Sequence, residues 1–200
     1  DYTTVGISER SFRDIYFPPY KAGIEAGART IMTSFNDLDG IPSTGNKWLL
    51  EEVLRKENNF TGFVVTDYTS INEMVNHGYA TDDKHAGELA ANAGVDMDMQ
   101  GAVFQRYLKE SIAAGLVSEK QVDEAVRRIL RIKFELGLFK DPYKYSDAQR
   151  EKAVVFAPAH LQAAREIARK SIAVSYTHLR AHETVLDLVC RLLLEKKKLK

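Results

Sequence analysis

Three short apolar runs, each ending in carboxylates or amides and each followed by a helix-length stretch, constrain this chain more than any other feature. They are RTIMTSFND (29–37), GFVVTD (62–67) and GVDMDM (94–99). Between the first two lies KWLLEEVLRKENN, in which Trp48, Leu49, Val53 and Leu54 share a broad apolar face at helical spacing. Ser70 and Glu73 have the spacing of a capping box, which predicts a helix starting just after Asp67, and a second helix is expected over about 82–92. Upstream, SERSFRDIYFPPY predicts a short helix stopped by Pro18 and Pro19, and KAGIEAGA a helix that ends at Gly27. The order is αβαβαβ with apolar strands, the pattern of a parallel sheet wrapped by helices.

Beyond Gly101 the strands cease. VFQRYLKESIAAG predicts a helix with Gly115 near its end. Ser118 and Gln121 offer another capping box, and Val122, Val126, Ile129 and Leu136 follow near helical spacing up to Gly137. KDPYKYSD reads as a linker, and EKAVVFAPAHLQAAREIARKS as helical sequence interrupted at Pro158. From about Val174 the sequence changes in kind and continues no periodicity from the preceding helix. This stretch resembles translated sequencing-adapter read-through, so His178, His182 and Cys190 are expected to carry no role.

Composition removes several function classes. Lys plus Arg and Asp plus Glu both number 28, so charge gives no reason to expect a nucleic-acid partner. A single cysteine provides no intrachain disulfide framework. No apolar run reaches the roughly 18 residues of a membrane span. The first residues hold neither an initiator Met nor a leader, so the chain is expected to be an internal piece of a longer protein.

In parallel α/β folds the C-terminal ends of the strands form the active face. Asn36 with Asp37, Asp67, and Asp96 with Asp98 all fall at or near such ends. Each has a structural alternative. Asp67 can cap the following helix, and Asp37 can belong to turn chemistry. In VDMDM the two aspartates should face one side of a strand and the two methionines the other. One of that pair is then free to bind a substrate hydroxyl or an Arg while the other caps the strand end. Three chemistries use such groups: nucleophilic attack at an anomeric carbon, metal-assisted hydrolysis with Asp67, Asp96 and Asp98 around a hard cation, and aspartyl-phosphate chemistry at the D-x-D.

Taken together, FPPYKAGIEAGARTIMTSFNDLDGIPSTGNKWLL, GFVVTDYTSI, HGYATD, AGVDMDM and AVRRILRIKFELGLFKDPYKY resemble the glycoside hydrolase family 3 β-glucosidases of the bacterial periplasmic or secreted type, over about residues 1–173. The resemblance implies the C-terminal portion of a TIM-like (β/α)8 barrel, an α/β fold, followed by helices leading to an α/β sandwich domain outside this chain. The implied divisions are 1–115 (last three barrel strands), 116–148 (barrel helix and linker), 149–173 (start of the second domain) and 174–200 (non-native tail). Asp67 aligns with the family's nucleophile, with Thr66 where Ser is usual and Tyr68 where Trp is usual. Met32 and Phe35 align with a segment lining the sugar pocket, where Phe35 lacks a common Tyr hydroxyl. Tyr68 offers an aromatic face to the sugar, and Glu9 aligns with an acidic barrel position, although a first-turn helix carboxylate explains it equally well. His77 belongs to a loop after the nucleophile that it can orient, and Asp98 is assigned a similar orienting role.

The implied activity is release of a terminal β-D-glucosyl residue from a small β-glucoside or oligosaccharide by double displacement, with no cofactor and no metal. The general acid/base, a Glu of the sandwich domain, and the earlier sugar-binding residues fall outside the chain. The isolated polypeptide is therefore expected to be unstable or aggregated, and inactive. The alternatives are a metal-dependent hydrolase on a similar barrel, or a β-xylosidase or N-acetyl-β-hexosaminidase of the same family. Periplasmic or secreted location rests on the resemblance alone, and the sequence specifies no oligomeric state.

Overall fold

The computed structural model describes residues 4–175, so the expectations about the tail lie outside the described residues. The chain divides into two compact units, Asp1–Pro142 and Tyr143–Lys200.

The first unit opens with β1 (Thr4–Val5), α1 (Glu9–Ser11), a π-helical turn (Phe12–Tyr16) and α2 (Pro18–Glu25). Pro18 and Pro19 begin α2 rather than merely ending what precedes it. At the start of a helix the N–H that proline lacks has no intrahelical partner anyway. The helix ends as expected, with Gly27 in the left-handed region at φ 97°. Next come β2 (Thr30–Met32), β3 (Asp37–Leu38), β4 (Ile41–Pro42), a 3-10 turn (Ser43–Gly45), a wide π-helix (Trp48–Glu57) and β5 (Phe63–Val65). Four helices close the unit: α3 (Ser70–Asn76), α4 (Asp83–Ala93), α5 (Val103–Ala113) and α6 (Glu119–Glu135).

β2 and β5 pair in parallel, with Ile31 beside Val64 and Met32 beside Val65. The third expected strand is reduced to one parallel bridge, Val65 with Met97. Its ladder does not propagate because the next N–H groups in register bond elsewhere, Val95 to the Ala90 carbonyl at 3.1 Å and Met99 to Thr66 Oγ1 at 2.8 Å. The fold is thus mixed α/β with a short parallel arc, and no closed barrel is seen among the described residues. A second sheet, β1–β3–β4, was not legible in the sequence. The Asp37 carboxylate ties it together, accepting from Thr4 Oγ1 at 3.0 Å and the Val5 N–H at 3.2 Å.

Helices cover one face of the arc. Val64 and Thr66 are fully buried and Thr33 nearly so, whereas Thr30 and Met32 are exposed and Phe63 and Val65 only half-buried. Under the covered face, Leu50, Leu54, Phe60, Ile71, Met74 and Val95 pack with the small residues of α4. Gly87 lets α4 approach α5, since a Cβ there would sit 2.7 Å from Val103 Cγ1. In the wide helix, Leu50, Val53 and Leu54 are buried while Trp48 and Leu49 are half-buried. Five-residue hydrogen-bond steps turn the face away from the four-residue spacing that the sequence pattern suggests.

The Ser118–Gln121 capping box forms, and Asp82 caps α4 by accepting the His85 N–H at 2.9 Å. The Ser70–Glu73 box does not. Thr69, at φ 58°, precedes α3 without a side-chain cap, and the Ser70 hydroxyl turns inward to Thr44 instead. In the second unit Asp147 caps α7 (Ala148–Val154), and α8 (Pro158–Ser175) starts at Pro158 after the left-handed Phe156.

Candidate active site

The site is built from the residues immediately after β5. Thr66 is fully buried. Its N–H donates to the Met97 carbonyl at 2.9 Å, and its Oγ1 accepts the Met99 N–H at 2.8 Å. Strand alternation then sends Asp67 to the opposite face, the one that carries Val65 and the exposed Met32 and Met97. Asp67 Oδ1 accepts the Tyr68 N–H at 2.6 Å, and Oδ2 hydrogen-bonds to no described residue. The Asp67 carbonyl accepts the Ser70 N–H at 3.2 Å, and the Thr69 N–H reaches the Met99 carbonyl at 3.0 Å. Asp67 is therefore not the side-chain cap of α3. It sits at the head of a tight turn with one carboxylate oxygen still available.

Met32 and Tyr68 are both more than half exposed, and Phe35 is half-buried. Met32 lines an apolar cavity of about 250 Å³ with Phe12, Tyr16 and Tyr20. Asp67, Phe35 and Tyr68 do not line it. Glu9 is elsewhere, in the first turn of α1, where it accepts from Arg13 Nε at 2.8 Å. Arg13 also forks onto Glu57 at 2.6 and 2.9 Å, and these two carboxylates raise the affinity of its guanidinium for its proton. The same guanidinium holds the Glu57 carboxyl below its usual range. His77 follows α3 at the end remote from Asp67, its N–H donating to the Glu73 carbonyl at 3.0 Å.

Asp96 and Asp98 share a side, as alternation requires, but it is the helix-covered side. Asp96 accepts from Arg55 at 2.6 Å, from Arg128 at 2.7 Å and from the Val64 N–H at 2.7 Å. Asp98 Oδ2 accepts the Val103 and Phe104 N–H groups at 2.6 and 3.3 Å and so holds the start of α5. Asp67, Asp96 and Asp98 are thus not gathered around one point, and no group of three or more His, Cys, Asp or Glu is placed to hold a metal ion among the described residues.

Sequence reasoning missed a web of hydroxyls beneath Asp67. Thr33 Oγ1 lies 2.9 Å from Thr44 Oγ1, which lies 2.9 Å from Ser70 Oγ. Beside it, Ser34 Oγ donates to Ser43 Oγ at 3.0 Å, and Ser43 Oγ donates to the Asn36 carbonyl at 2.9 Å. The available signal was the pairing of TS at 33–34 and at 69–70 with ST at 43–44, hidden because each reads locally as turn chemistry.

Residues 1–132 match the family model for the glycosyl hydrolase family 3 N terminal domain. A periplasmic beta-glucosidase of Salmonella typhimurium is 39% identical over 175 residues, covering 86% of this chain and 23% of its own length. A beta-xylosidase of Formosa agariphila is 35% identical over 83% of this chain and 24% of its own. The crystal structure of a beta-glucosidase from Listeria innocua in complex with gluconolactone superposes with a TM-score of 0.78 at 41% identity, covering 86% of this chain and 23% of that one. The chain thus spans about a quarter of the length of the relatives it matches. A family model that spans most of the first unit, and relatives near 40% identity across both units, lead to one conclusion: this chain belongs to glycosyl hydrolase family 3.

Proposed function

We propose that a protein of its relatives' length carrying this chain is a retaining glycoside hydrolase that releases a terminal, non-reducing β-D-glucosyl residue, with Asp67 as nucleophile. The observation that carries the reading is the placement of Asp67. It stands just past the C-terminal end of β5, on the face that carries the exposed Met32 and Met97, with Oδ2 unengaged among the described residues. On this reading β2, β5 and the Met97 bridge belong to the C-terminal part of a (β/α)8 barrel. Residues 1–115 carry the catalytic portion, 116–148 the last barrel helix and linker, and 149–173 the approach to a sandwich domain.

Asp67 Oδ2 attacks the anomeric carbon while an acid from outside the chain protonates the departing glycosidic oxygen. The C–O bond to the aglycone breaks and a glycosyl ester on Asp67 forms. The same outside group, now a base, takes a proton from water, which displaces Asp67 and restores the β-configuration. In retaining enzymes the two carboxyl groups stand about 5–5.5 Å apart. The Tyr68 N–H holds the spectator oxygen and fixes the carboxylate plane. Tyr68, Met32 and Phe35 flank the sugar, with Phe35 supplying apolar contact and no hydroxyl.

The substrate class is a small β-glucoside or oligosaccharide, in line with the relatives named beta-glucosidase. A β-xyloside is the second reading, favoured by the Formosa relative. Periplasmic or secreted location follows the name of the Salmonella relative. The test is trapping with 2-deoxy-2-fluoro-β-glucoside and, in parallel, the xyloside. A stable label on the peptide bearing Asp67 supports the mechanism, and the sugar that labels faster assigns specificity. Turnover with the label on another residue overturns the assignment.

A further inference from the structure

Residues 43–46 are a loop, yet all four are buried, with Thr44 only 1% exposed. Loops normally run over the surface because their polar groups need water. Here the side chains find protein partners instead. The Asn46 Oδ1 accepts the Leu49 N–H at 3.0 Å, and Ser43 is tied to Ser34 and to the Asn36 carbonyl. Gly45 is pressed against α3 and the turn that follows it, where a Cβ would lie 3.0 Å from Met74 Sδ and 2.9 Å from Tyr79 Cε1. At the centre, the Thr44 hydroxyl is within 2.9 Å of two others. Thr33 stands one residue past β2, and Ser70 three residues past Asp67.

We propose that Thr44 is a positioning residue for Asp67, an inference that rests on Asp67 being the nucleophile. Ser70 closes the Asp67 turn through its backbone, its N–H donating to the Asp67 carbonyl. Its side chain is fastened to Thr44 and, through Thr44, to the end of β2. The chain of hydroxyls therefore sets the distance between the nucleophile turn and the strand end that carries Met32 and Phe35. Thr44 touches no sugar and transfers no proton to substrate. It acts by keeping Asp67 at its attacking distance, where a displacement of about 1 Å costs on the order of a hundredfold in rate.

The experiment uses the protein at its relatives' full length and replaces Thr44 with Val, which keeps the shape and removes the hydroxyl. Thr44→Val is expected to lower the inactivation rate by 2-deoxy-2-fluoro-β-glucoside, and kcat on an aryl glucoside, roughly tenfold or more, with KM changed less than about threefold. Thr44→Ser, which restores the hydroxyl, should recover most of that loss. Ser70→Ala should reproduce the Val phenotype and serves as the second variant if Thr44→Val does not fold. Wild-type inactivation rates in a folded Thr44→Val or Ser70→Ala protein, with the label on Asp67, overturn the positioning role and leave the nucleophile intact. A label that forms elsewhere overturns the nucleophile reading itself, and the Thr44 role with it.

Discussion

Replacing Asp96 with Ala tests the reading of the helix-covered face. The Asp96 side chain is 1% exposed and accepts three hydrogen bonds, from Arg55, Arg128 and the Val64 N–H. Removing one partner of a buried ion pair costs about 3–5 kcal/mol, because the remaining charge is left uncompensated. The structure argues for the lower end of that range. Arg55 keeps the Gly62 and Gly94 carbonyls at 3.2 Å and the Glu51 carboxylate at 3.5 Å. Arg128 is 24% exposed and can turn to water. Loss of an acceptor for the buried Val64 N–H adds about 1 kcal/mol. The total is about 3–4 kcal/mol, to be read in the protein at its relatives' full length. Differential scanning calorimetry reads the size of the effect, and hydrogen exchange of the peptide containing Val64 locates it. Asp96→Asn keeps the acceptor and should cost less, and Arg128→Leu less again, with a coupling of about 1 kcal/mol or more between positions 96 and 128. A loss below about 1 kcal/mol for Asp96→Ala would refute the argument that this carboxylate organises the arc.

Three further outcomes are expected. Gly62→Ala places a Cβ 2.1 Å from the Arg29 carbonyl oxygen, so β2 and β5 must separate at a cost of about 2 kcal/mol or more, read from the denaturant midpoint. The Asp82 carboxyl is held below its usual range first by the His85 N–H. Its contribution is present above the unfolded value of about 3.9 and is lost as pH falls through the lower folded value, so the His85 amide resonance should shift on acidification and Asp82→Asn should abolish that shift. The 200-residue chain alone should show no turnover of an aryl β-glucoside, because the proposed acid/base is outside it, and light scattering should show self-association through the face bearing Met32 and Met97, 52% and 43% exposed. Turnover abolished by Asp67→Ala in that chain would contradict the division of catalytic labour.

The helices around the arc were legible because their signals are local: the Ser118–Gln121 box and the glycines at 27, 115 and 137 need only their neighbours in sequence. The failures are tertiary. Ser70 has the spacing of a cap, but a buried partner on a distant loop competes for its hydroxyl and wins. The sheet β1–β3–β4 depends on Asp37 reaching back to Thr4 and Val5, across more than 30 residues. Loop 43–46 reads as solvent-facing turn chemistry because its burial is supplied by α3, α4 and Tyr79, which no local pattern announces.

The same limit explains why three aspartates near strand ends looked alike in sequence and are not. The Val65–Met97 bridge fixes the side-chain parity of both segments. Asp67 is two residues beyond Val65, on the same side, so it escapes the helix layer. Asp96 and Asp98 flank Met97, so they point into that layer. In the helix layer Asp96 gives both oxygens to arginines and an amide N–H, while Asp98 gives Oδ2 to two amide N–H groups and keeps Oδ1 buried without a hydrogen-bond partner, out of reach of a substrate. A nucleophile must instead keep one oxygen both uncommitted and accessible to the carbon it attacks. Asp67 meets that condition with a single hydrogen bond from Tyr68. A shift of one residue in the register of β5 would exchange these environments, which is why the buried hydroxyls of Thr33, Thr44, Thr66 and Ser70, each tied to a different segment, bear on the chemistry as much as on the fold.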